Sequence, residues 1–177
     1  GVVILIPYVI PGETVVCRVW RNHKQHASAD LVRVVDPSPE RVAPRCSLYG
    51  DCGGCQYQHM SLTSQREWKK NHLEEALTRL AGAPGIKVEE TEGGDAAYGY
   101  RTKLTPHYDK PKEDGELRAI GFNGARFKIV DVENCPIATD QVNEKLGDVR
   151  REMRDRTRWM VDAFQTGRSK KKPKGGT

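Results

Sequence analysis

Short apolar stretches near the start of the chain alternate with turn-forming residues. The stretches VVILI, TVVCRVW and ADLVRVV are separated by Pro11-Gly12 and closed by Asp36-Pro37, which predicts three β-strands between residues 2 and 35. The first stretch, from Val2 to Ile6, is wholly apolar and predicts a buried strand. Three short strands indicate a small barrel. An OB-like barrel needs about five strands, so we expect a sheet edge to be missing ahead of residue 1.

The middle of the chain changes from a strand pattern to a helix pattern. Ser64 and Glu67 have the spacing of a capping box, and Gly82 can end a helix, so a helix is predicted to begin at Ser64 and end before Gly82. An apolar stripe is expected to pack in the core: Trp68, Leu73, Ala76, Leu77 and Leu80.

The second half of the chain predicts an antiparallel β element followed by a long helix. The stretches YRTKLTPHY, LRAIGF and RFKIVDV alternate as strands do, and Asn123-Gly124 predicts a type I′ hairpin turn. Residues 140–164 have helical spacing, with mixed charges on the polar face that favour a salt-bridged surface over one that contacts RNA. The apolar positions of this helix are Val142, Leu146, Val149, Met153 and Met160.

Charge adds one feature to this picture. The 177 residues carry a formal net charge of +5, from 29 Lys and Arg against 24 Asp and Glu. The tail GRSKKKPKGGT holds five of the basic residues and no acidic one, so the rest of the chain is balanced at 24 against 24. Low apolar content predicts that residues 165–177 are disordered. No apolar run is long enough to cross a bilayer, so no membrane partner is expected.

Five cysteines, at positions 17, 46, 52, 55 and 135, carry the chemistry. Three of them lie within ten residues, in Cys46-x5-Cys52-Gly-Gly-Cys55, which indicates a shared metal centre. The odd count argues against a disulfide framework, and we expect no disulfide-linked partner. A thioredoxin-like dithiol is disfavoured because no strand precedes the Cys-x-x-Cys pair.

The spacing leaves two metals open. A four-cysteine zinc site is common, but zinc ribbons usually supply two close pairs of ligands. Here one segment supplies three thiolates and Cys135-Pro136 the fourth, which is typical of iron-sulfur ligation. Four ligands would leave no iron open for radical chemistry. Cys17 lies in a strand and is the spare cysteine. His59 and His72 are expected at the surface or behind the ligands, and neither is marked as a catalytic base.

Four stretches of the chain resemble one family. PYVIPGETVVCRV, SPERVAPRCSLYGDCGGCQYQH, GYRTKLTPHY and GFNGARFKIVDVENCPI are similar to the TRAM and iron-sulfur domains of the RNA (uracil-5-)-methyltransferases, over about residues 2–145. The resemblance implies that Cys46, Cys52, Cys55 and Cys135 ligate a [4Fe-4S] cluster, and it favours iron-sulfur over zinc. Cys17 has no counterpart in that ligand set.

The family transfers a methyl group from S-adenosylmethionine to C5 of uridine in tRNA or ribosomal RNA. That reaction needs a cysteine thiolate to attack C6, a base to remove the C5 proton, and a doubly wound domain that binds the cofactor. This sequence departs from the family there, because no strand, glycine-rich loop and helix follow one another and no well-placed catalytic cysteine is present. The chain is therefore expected to be the RNA-binding and cluster-binding part of such an enzyme, without the catalytic domain and inactive alone. The alternative is a stand-alone iron-sulfur or zinc RNA-binding module.

The resemblance also implies a domain plan of mixed β and α+β class. It comprises a partial OB-like TRAM barrel (1–43), a small α+β iron-sulfur domain with antiparallel hairpins (44–139), a long helix leading toward a catalytic domain (140–164) and a disordered basic tail (165–177). RNA is the expected partner, with tRNA favoured over ribosomal RNA, and Tyr100 or Phe122 could stack on its bases. Four thiolates require a reducing compartment, with the cytoplasm favoured over the nucleus or an organelle. The candidate RNA contacts are Arg18, Arg21, Lys24, Arg101, Lys103, Arg118, Arg126 and Lys128.

Overall fold

A computed structural model describes residues 1–109, 111, 116–125 and 128–166. Within them the chain is a mixed α/β protein with two three-stranded sheets and two helices. The chain divides into two units. The first contains Gly1–Gly50 and Cys55–Asp95, and the second contains Asp51–Gly54 and the part of the chain from Ala96 onward. The loop that carries the clustered cysteines therefore contributes to both units.

The first unit contains the three strands that the sequence predicts. They are β1 (Val3–Leu5), β2 (Thr14–Asn22) and β3 (His26–Asp36), in the order β1-β3-β2. β1 pairs parallel to β3, and β2 pairs antiparallel to it with three irregularities in register. Buried Ile10, Ala27, Ala29 and Met60 form the apolar core of this unit.

The expectation that the first apolar stretch is buried is wrong for the described structure. β1 lies at the edge of its sheet, and all three of its residues are exposed, with Leu5 at 54%. Its apolar character is that of a β-forming stretch, but among the described residues this edge strand has its side chains in contact with solvent.

Helix α1 (Leu62–Arg79) follows, and it departs from the sequence prediction in two ways. It begins earlier, because Ser61 and not Ser64 is the N-cap, and the Ser61 hydroxyl accepts a hydrogen bond from the Ser64 backbone N–H. The predicted stripe is also only partly buried: Trp68, Ala76 and Leu77 are half-buried, whereas Leu73 is 50% exposed and Leu80, just after the helix, is 87% exposed.

Polar contacts near the start of α1 hold the helix instead. The Gln65 amide donates to the carbonyls of Tyr57 and Met60, and Ser64 is buried. The Arg66 guanidinium donates to the carbonyl of Gly93 at 3.0 Å. Farther along, the Glu74 carboxylate accepts a hydrogen bond from the Val88 N–H at 3.3 Å, so polar contacts that helical spacing does not reveal hold this helix.

The second unit contains β4 (His107–Tyr108), β5 (Ile120–Asn123) and β6 (Ile129–Asp131) in one antiparallel sheet. The hairpin between β5 and β6 forms, but the type I′ turn is wrong. Asn123 remains paired with Ile129, and Gly124 lacks the positive φ that such a turn requires. Gly124 instead lies against the backbone of the loop that carries Cys52, where a Cβ would come within 2.4 Å of the Asp51 oxygen.

Helix α2 (Asp140–Gln165) confirms the predicted long helix. Thr139 caps it by accepting a hydrogen bond from the Val142 N–H, and Asp140 lies in its first turn, where a negative charge is favourable. Its buried positions include Leu146 and, unexpectedly, Arg150. The other buried apolar residues of this unit are Leu117, Ala119, Ile120, Val132, Ile137 and Ala138.

Among the described residues, no helix has the length and apolar character needed to cross a bilayer. The predicted RNA contact Arg126 and the basic tail from residue 167 onward lie outside the described residues.

Candidate functional site

Cys46 and Cys55 lie in the first unit, on a segment held by side chains. The backbone N–H of Cys46 donates to the Gln58 side-chain oxygen at 3.2 Å. The Tyr49 hydroxyl donates to the carbonyl of Gln56, the residue after Cys55, at 2.6 Å. The two cysteine-bearing stretches are thus tied to each other through Tyr49 and Gln58.

His59 extends this frame into the interior of the first unit. Its ring is 2% exposed, and Nδ1 lies 2.5 Å from the Tyr49 hydroxyl. Burial lowers the pKa of His59, so the neutral ring is favoured, and burial raises the pKa of Tyr49, which keeps its hydroxyl protonated. Nε2 is buried and forms no hydrogen bond of normal geometry. The Val9 backbone carbonyl acts to raise the pKa of His59, but burial outweighs it.

Tyr8 packs on both of these rings. Its ring meets Tyr49 edge-on at a centroid distance of 5.2 Å and His59 at 6.4 Å. Tyr8 has a φ of 66°, which is unfavourable for a residue with a side chain. The Arg41 guanidinium donates to the Tyr8 carbonyl at 2.8 Å and so supports this backbone conformation.

A partly buried ion pair anchors Arg41. Arg41 Nε and Nη2 lie 2.5 and 2.6 Å from the two oxygens of Glu13, a bidentate arrangement. The same carboxylate accepts from the backbone N–H groups of Ile10 and Ser38 at 2.9 and 3.1 Å. The hydrogen bond from Arg41 lowers the pKa of Glu13 to about 2. Glu13, Arg41 and Tyr8 therefore connect the strand region of the first unit to the ring pair beside Cys55.

Cys52 lies in the second unit, where the backbone itself holds the loop. Cys52 forms an antiparallel bridge with Gly124, and the Gly53 N–H donates to the Asn123 carbonyl at 2.9 Å. A Cβ on Gly53 would come within 2.6 Å of that carbonyl oxygen, and one on Gly124 within 2.4 Å of the Asp51 oxygen. The two glycines are required for this close approach of two backbones.

Cys135 is held by an amide side chain from α2. Asn143 Oδ1 accepts from the Cys135 N–H at 2.8 Å, and its Nδ2 donates to the carbonyls of Cys135 and Ala138 at 3.1 and 3.4 Å. Asn143 fixes the Cys-Pro turn ahead of the helix. The sequence offers no sign of this role, since it depends on one turn of α2 facing the loop.

The chemistry of the donors suits a thiolate-bound metal. All five cysteines are thiols that are partly exposed, and none forms a disulfide. No group of three or more His, Cys, Asp or Glu side chains converges on a metal-sized position within the part of the chain that the structure describes. The centre with four cysteine ligands therefore stays a prediction from the sequence, while the anchoring of each cysteine segment is observed.

The candidate RNA contacts are exposed wherever the structure describes them. Those in the first unit lie on β2 and the turn after it, and those in the second lie on residues 101–103 and around β5 and β6. Their role in binding RNA stays a prediction. The exposed residues are Arg18, Arg21, Lys24, Arg101, Lys103, Arg118 and Lys128.

Similarity to known proteins supports the family resemblance. The chain is 36% identical over 150 residues to the tRNA (uracil(54)-C(5))-methyltransferase of Schizosaccharomyces pombe, a match that covers 80% of this chain and 28% of that protein. It is 34% identical over 145 residues to a 23S rRNA (uracil(1939)-C(5))-methyltransferase of Shewanella sp. (strain MR-4), which covers 81% of this chain and 32% of that protein. No family model matches the chain.

A solved structure gives the same result. The crystal structure of the Pyrococcus abyssi tRNA (uracil-54, C5)-methyltransferase in complex with S-adenosyl-L-homocysteine aligns with a TM-score of 0.60 and 27% identity. The alignment covers 86% of this chain and 32% of that one. The chain spans about a third of the length of the curated relatives it matches.

Proposed function

The chain is a homologue of the RNA (uracil-C5-)-methyltransferases, and from this premise we propose that it forms the RNA-binding and cluster-binding part of such an enzyme. The observation that carries the proposal is the match over about four fifths of the chain to enzymes that modify uracil C5 in two different RNAs. The S-adenosylmethionine site and the catalytic cysteine would belong to the part of the relatives that this sequence does not match. The 177 residues alone would then bind RNA without methylating it.

Within this proposal, the strands of the first unit provide a TRAM-like β region. The iron-sulfur region runs from residue 44 through parts of both units, since Cys46 and Cys55 belong to the first unit and Cys52 and Cys135 to the second. The domain boundaries at residues 43, 139 and 164 stay as the sequence predicts them. The exposed cations on β2 and around β5 and β6 would contact RNA phosphates, with a tRNA as the favoured substrate.

The proposed cofactor is a [4Fe-4S] cluster ligated by Cys46, Cys52, Cys55 and Cys135. Three supports are the Cys-x5-Cys-Gly-Gly-Cys spacing, the absence of disulfides among the described cysteines, and the anchoring of each cysteine segment. A cluster with four cysteine ligands would have a structural role, and no step of methyl transfer passes through it.

Metal analysis tests the cofactor. Anaerobic purification of the chain should give a brown protein with about four irons per chain and a broad absorption band near 400 nm. Cys52→Ser should lose iron, and Cys17→Ser is the matched control that should retain it. A colourless protein with one zinc, or equal iron loss in both variants, would contradict the assignment.

Binding and activity measurements test the function. The unaltered chain should bind a tRNA transcript that contains uridine, with an affinity that falls as salt rises. It should transfer no methyl group from labelled S-adenosylmethionine, whereas a longer form that includes a cofactor-binding domain should do so. Failure of the chain to bind either tRNA or a ribosomal RNA fragment would contradict the proposal.

A further inference from the structure

A groove in the second unit lies beside the start of α2. Residues 101–106 run next to the loop before this helix, because the Arg101 N–H donates to the Ile137 carbonyl at 2.8 Å and the Thr139 N–H donates to the Arg101 carbonyl at 3.0 Å. The groove between this segment and α2 has a volume of about 320 Å³. Its lining residues are Thr102, Lys103, Leu104, Pro106, Gln141, Val142, Lys145, Leu146 and Val149.

The lining combines an apolar floor with a cationic rim. Five of the nine residues are apolar, and Thr102 and Gln141 add hydrogen-bonding groups. Both charged lining residues, Lys103 and Lys145, are exposed lysines, and among the residues that the structure describes no carboxylate lines the groove. Three acidic residues of α2 lie near the groove without lining it: Asp140, Glu144 and Asp148, of which Asp148 is paired with Arg151 at 2.6 Å.

A third cation borders the groove. Arg101 Nε donates to the Lys103 carbonyl at 3.2 Å, which holds the arginine side chain along the segment that forms one wall. Arg101 and Lys103 therefore lie on a backbone segment that is itself hydrogen-bonded to the loop before α2.

We propose that this groove binds one nucleotide of a single-stranded RNA segment. The inference rests on the proposed function and adds a specific subsite to it. A volume of about 320 Å³ lies near the lower limit for ligand pockets, which suits one nucleotide. The apolar floor would contact the flat base and the ribose, Lys103 and Lys145 would contact the flanking phosphates, and Gln141 and Thr102 would hydrogen-bond to base edges. The charged residues that line the groove are both lysines. A negatively charged polymer such as RNA therefore fits the groove better than a protein surface that carries both signs of charge.

Crosslinking and binding with the 177-residue chain test the subsite. The probe is a short fluorescent oligouridylate with one 4-thiouridine, and irradiated complexes are mapped by mass spectrometry. Crosslinks should fall in residues 102–106 or 141–149. The Lys103→Ala/Lys145→Ala variant should bind the probe about tenfold more weakly, and the slope of log K against log salt should decrease by about 1.4, near 0.7 for each lost phosphate contact on a single strand.

The control removes the same two charges elsewhere. Arg156 and Arg158 are exposed on α2 but do not line the groove, so Arg156→Ala/Arg158→Ala should keep most of the binding. Equal binding by the two double variants, with no crosslink in the groove, would overturn the subsite while leaving RNA binding in place. If the unaltered chain binds no RNA, the proposed function fails and the subsite with it. Crosslinks that fall only outside residues 102–106 and 141–149 would also overturn the proposal.

Discussion

The clustered cysteines are held in different ways in the two units, whereas the distant Cys135 of the second unit is held by the Asn143 amide. In the first unit, side chains hold Cys46 and Cys55: an amide, a tyrosine hydroxyl, a buried imidazole, and behind them the Glu13–Arg41 ion pair. In the second unit, the backbone around Cys52 lies directly on the β5–β6 hairpin, where glycines leave no room for a Cβ.

This difference predicts different weaknesses. A segment held by ionisable side chains should respond to pH and to the loss of a single hydroxyl. A segment held by contact between backbones should fail when an atom is added. Arg150 complicates the contrast, because it is a buried charged side chain that supports the hairpin of the second unit.

Removing Arg150 should give the largest effect. Its guanidinium is 4% exposed, donates to the carbonyl of Val132 at 2.9 Å and to that of Ile120, and pairs with Asp131 at 2.8 Å. Arg150→Met would leave the Asp131 carboxylate and two carbonyls without this donor, and should lower the free energy of unfolding by about 3–5 kcal/mol. Hydrogen exchange in residues 116–125 and 129–132 measures this loss of stability.

The matched control is on the next residue of the same helix. Arg151 is exposed and pairs with Asp148, so Arg151→Met should cost no more than about 1 kcal/mol. Equal losses for the two variants would mean that the buried guanidinium does not hold the hairpin. Loss of protection in the first unit alone would contradict the assignment of Arg150 to the second.

Adding one methyl group to a glycine should have the next largest effect. A Cβ at Gly124 would lie 2.4 Å from the Asp51 oxygen and 2.8 Å from a Val130 methyl carbon, so Gly124→Ala must separate the cysteine loop from the hairpin. We expect a loss of about 3 kcal/mol, seen as faster hydrogen exchange at Gly53 and in β5.

The same substitution in α2 should have the opposite sign. A Cβ at Gly147 would meet only the Arg151 guanidinium at an ordinary 3.6 Å, and alanine favours a helix over glycine. Gly147→Ala should therefore stabilise the second unit by about 0.5–1 kcal/mol. If Gly124→Ala and Gly147→Ala both destabilise the chain, any added side chain disturbs this unit. The close approach of two backbones at Gly124 would then not explain the loss.

The sequence predicts the elements well where its period is clear. The three N-terminal strands and α2 follow from alternation and from helical spacing. The pattern misleads at α1, where the polar residues Ser64 and Gln65 make the contacts and Leu80 remains in solvent. It also misleads at Gly124, because Asn-Gly favours a tight turn while the glycine is needed for a neighbouring backbone.

The supports of the candidate site could not be predicted from the sequence. Asn143 is eight residues from Cys135, and Tyr49 contacts His59 only because the loop between them folds back. Such contacts depend on tertiary structure, whereas the cysteine spacing is a local feature that the sequence displays directly. His59, expected at the surface or behind the ligands, is buried within the first unit.

Acid should weaken the first unit through Glu13. Its folded pKa of about 2 lies below the ordinary value of 4.5, so its stabilisation is complete above about pH 4.5 and is lost as the pH falls toward about 2. We expect about 2 kcal/mol after allowance for solvent screening. Urea unfolding of a Trp159→Phe background, in which Trp20 and Trp68 of the first unit supply the fluorescence, measures it.

Glu13→Gln separates this effect from general acid unfolding. The variant should be less stable than the unaltered chain at neutral pH and should approach it in acid, whereas the exposed Glu89→Gln should follow the unaltered chain throughout. In the second unit, burial works to raise the pKa of Asp131, but hydrogen bonds from Arg150 and the Ile120 N–H outweigh it and lower that pKa. Acid should therefore weaken both units, and a Glu13→Gln curve parallel to that of the unaltered chain would refute the Glu13 explanation.

Removing the Tyr49 hydroxyl should give the smallest effect and the most local one. Tyr49→Phe keeps the ring that packs on Tyr8 but leaves the Gln56 carbonyl and His59 Nδ1 without this partner. The expected cost is about 1 kcal/mol, with faster hydrogen exchange confined to residues 46–50 and 55–60. Tyr57→Phe alters an exposed ring and should change neither the free energy of unfolding nor the hydrogen exchange of this segment. If Tyr49→Phe leaves exchange in this segment unaltered, side-chain hydrogen bonds do not hold the cysteines of the first unit, and the contrast between the two units fails at its most specific contact.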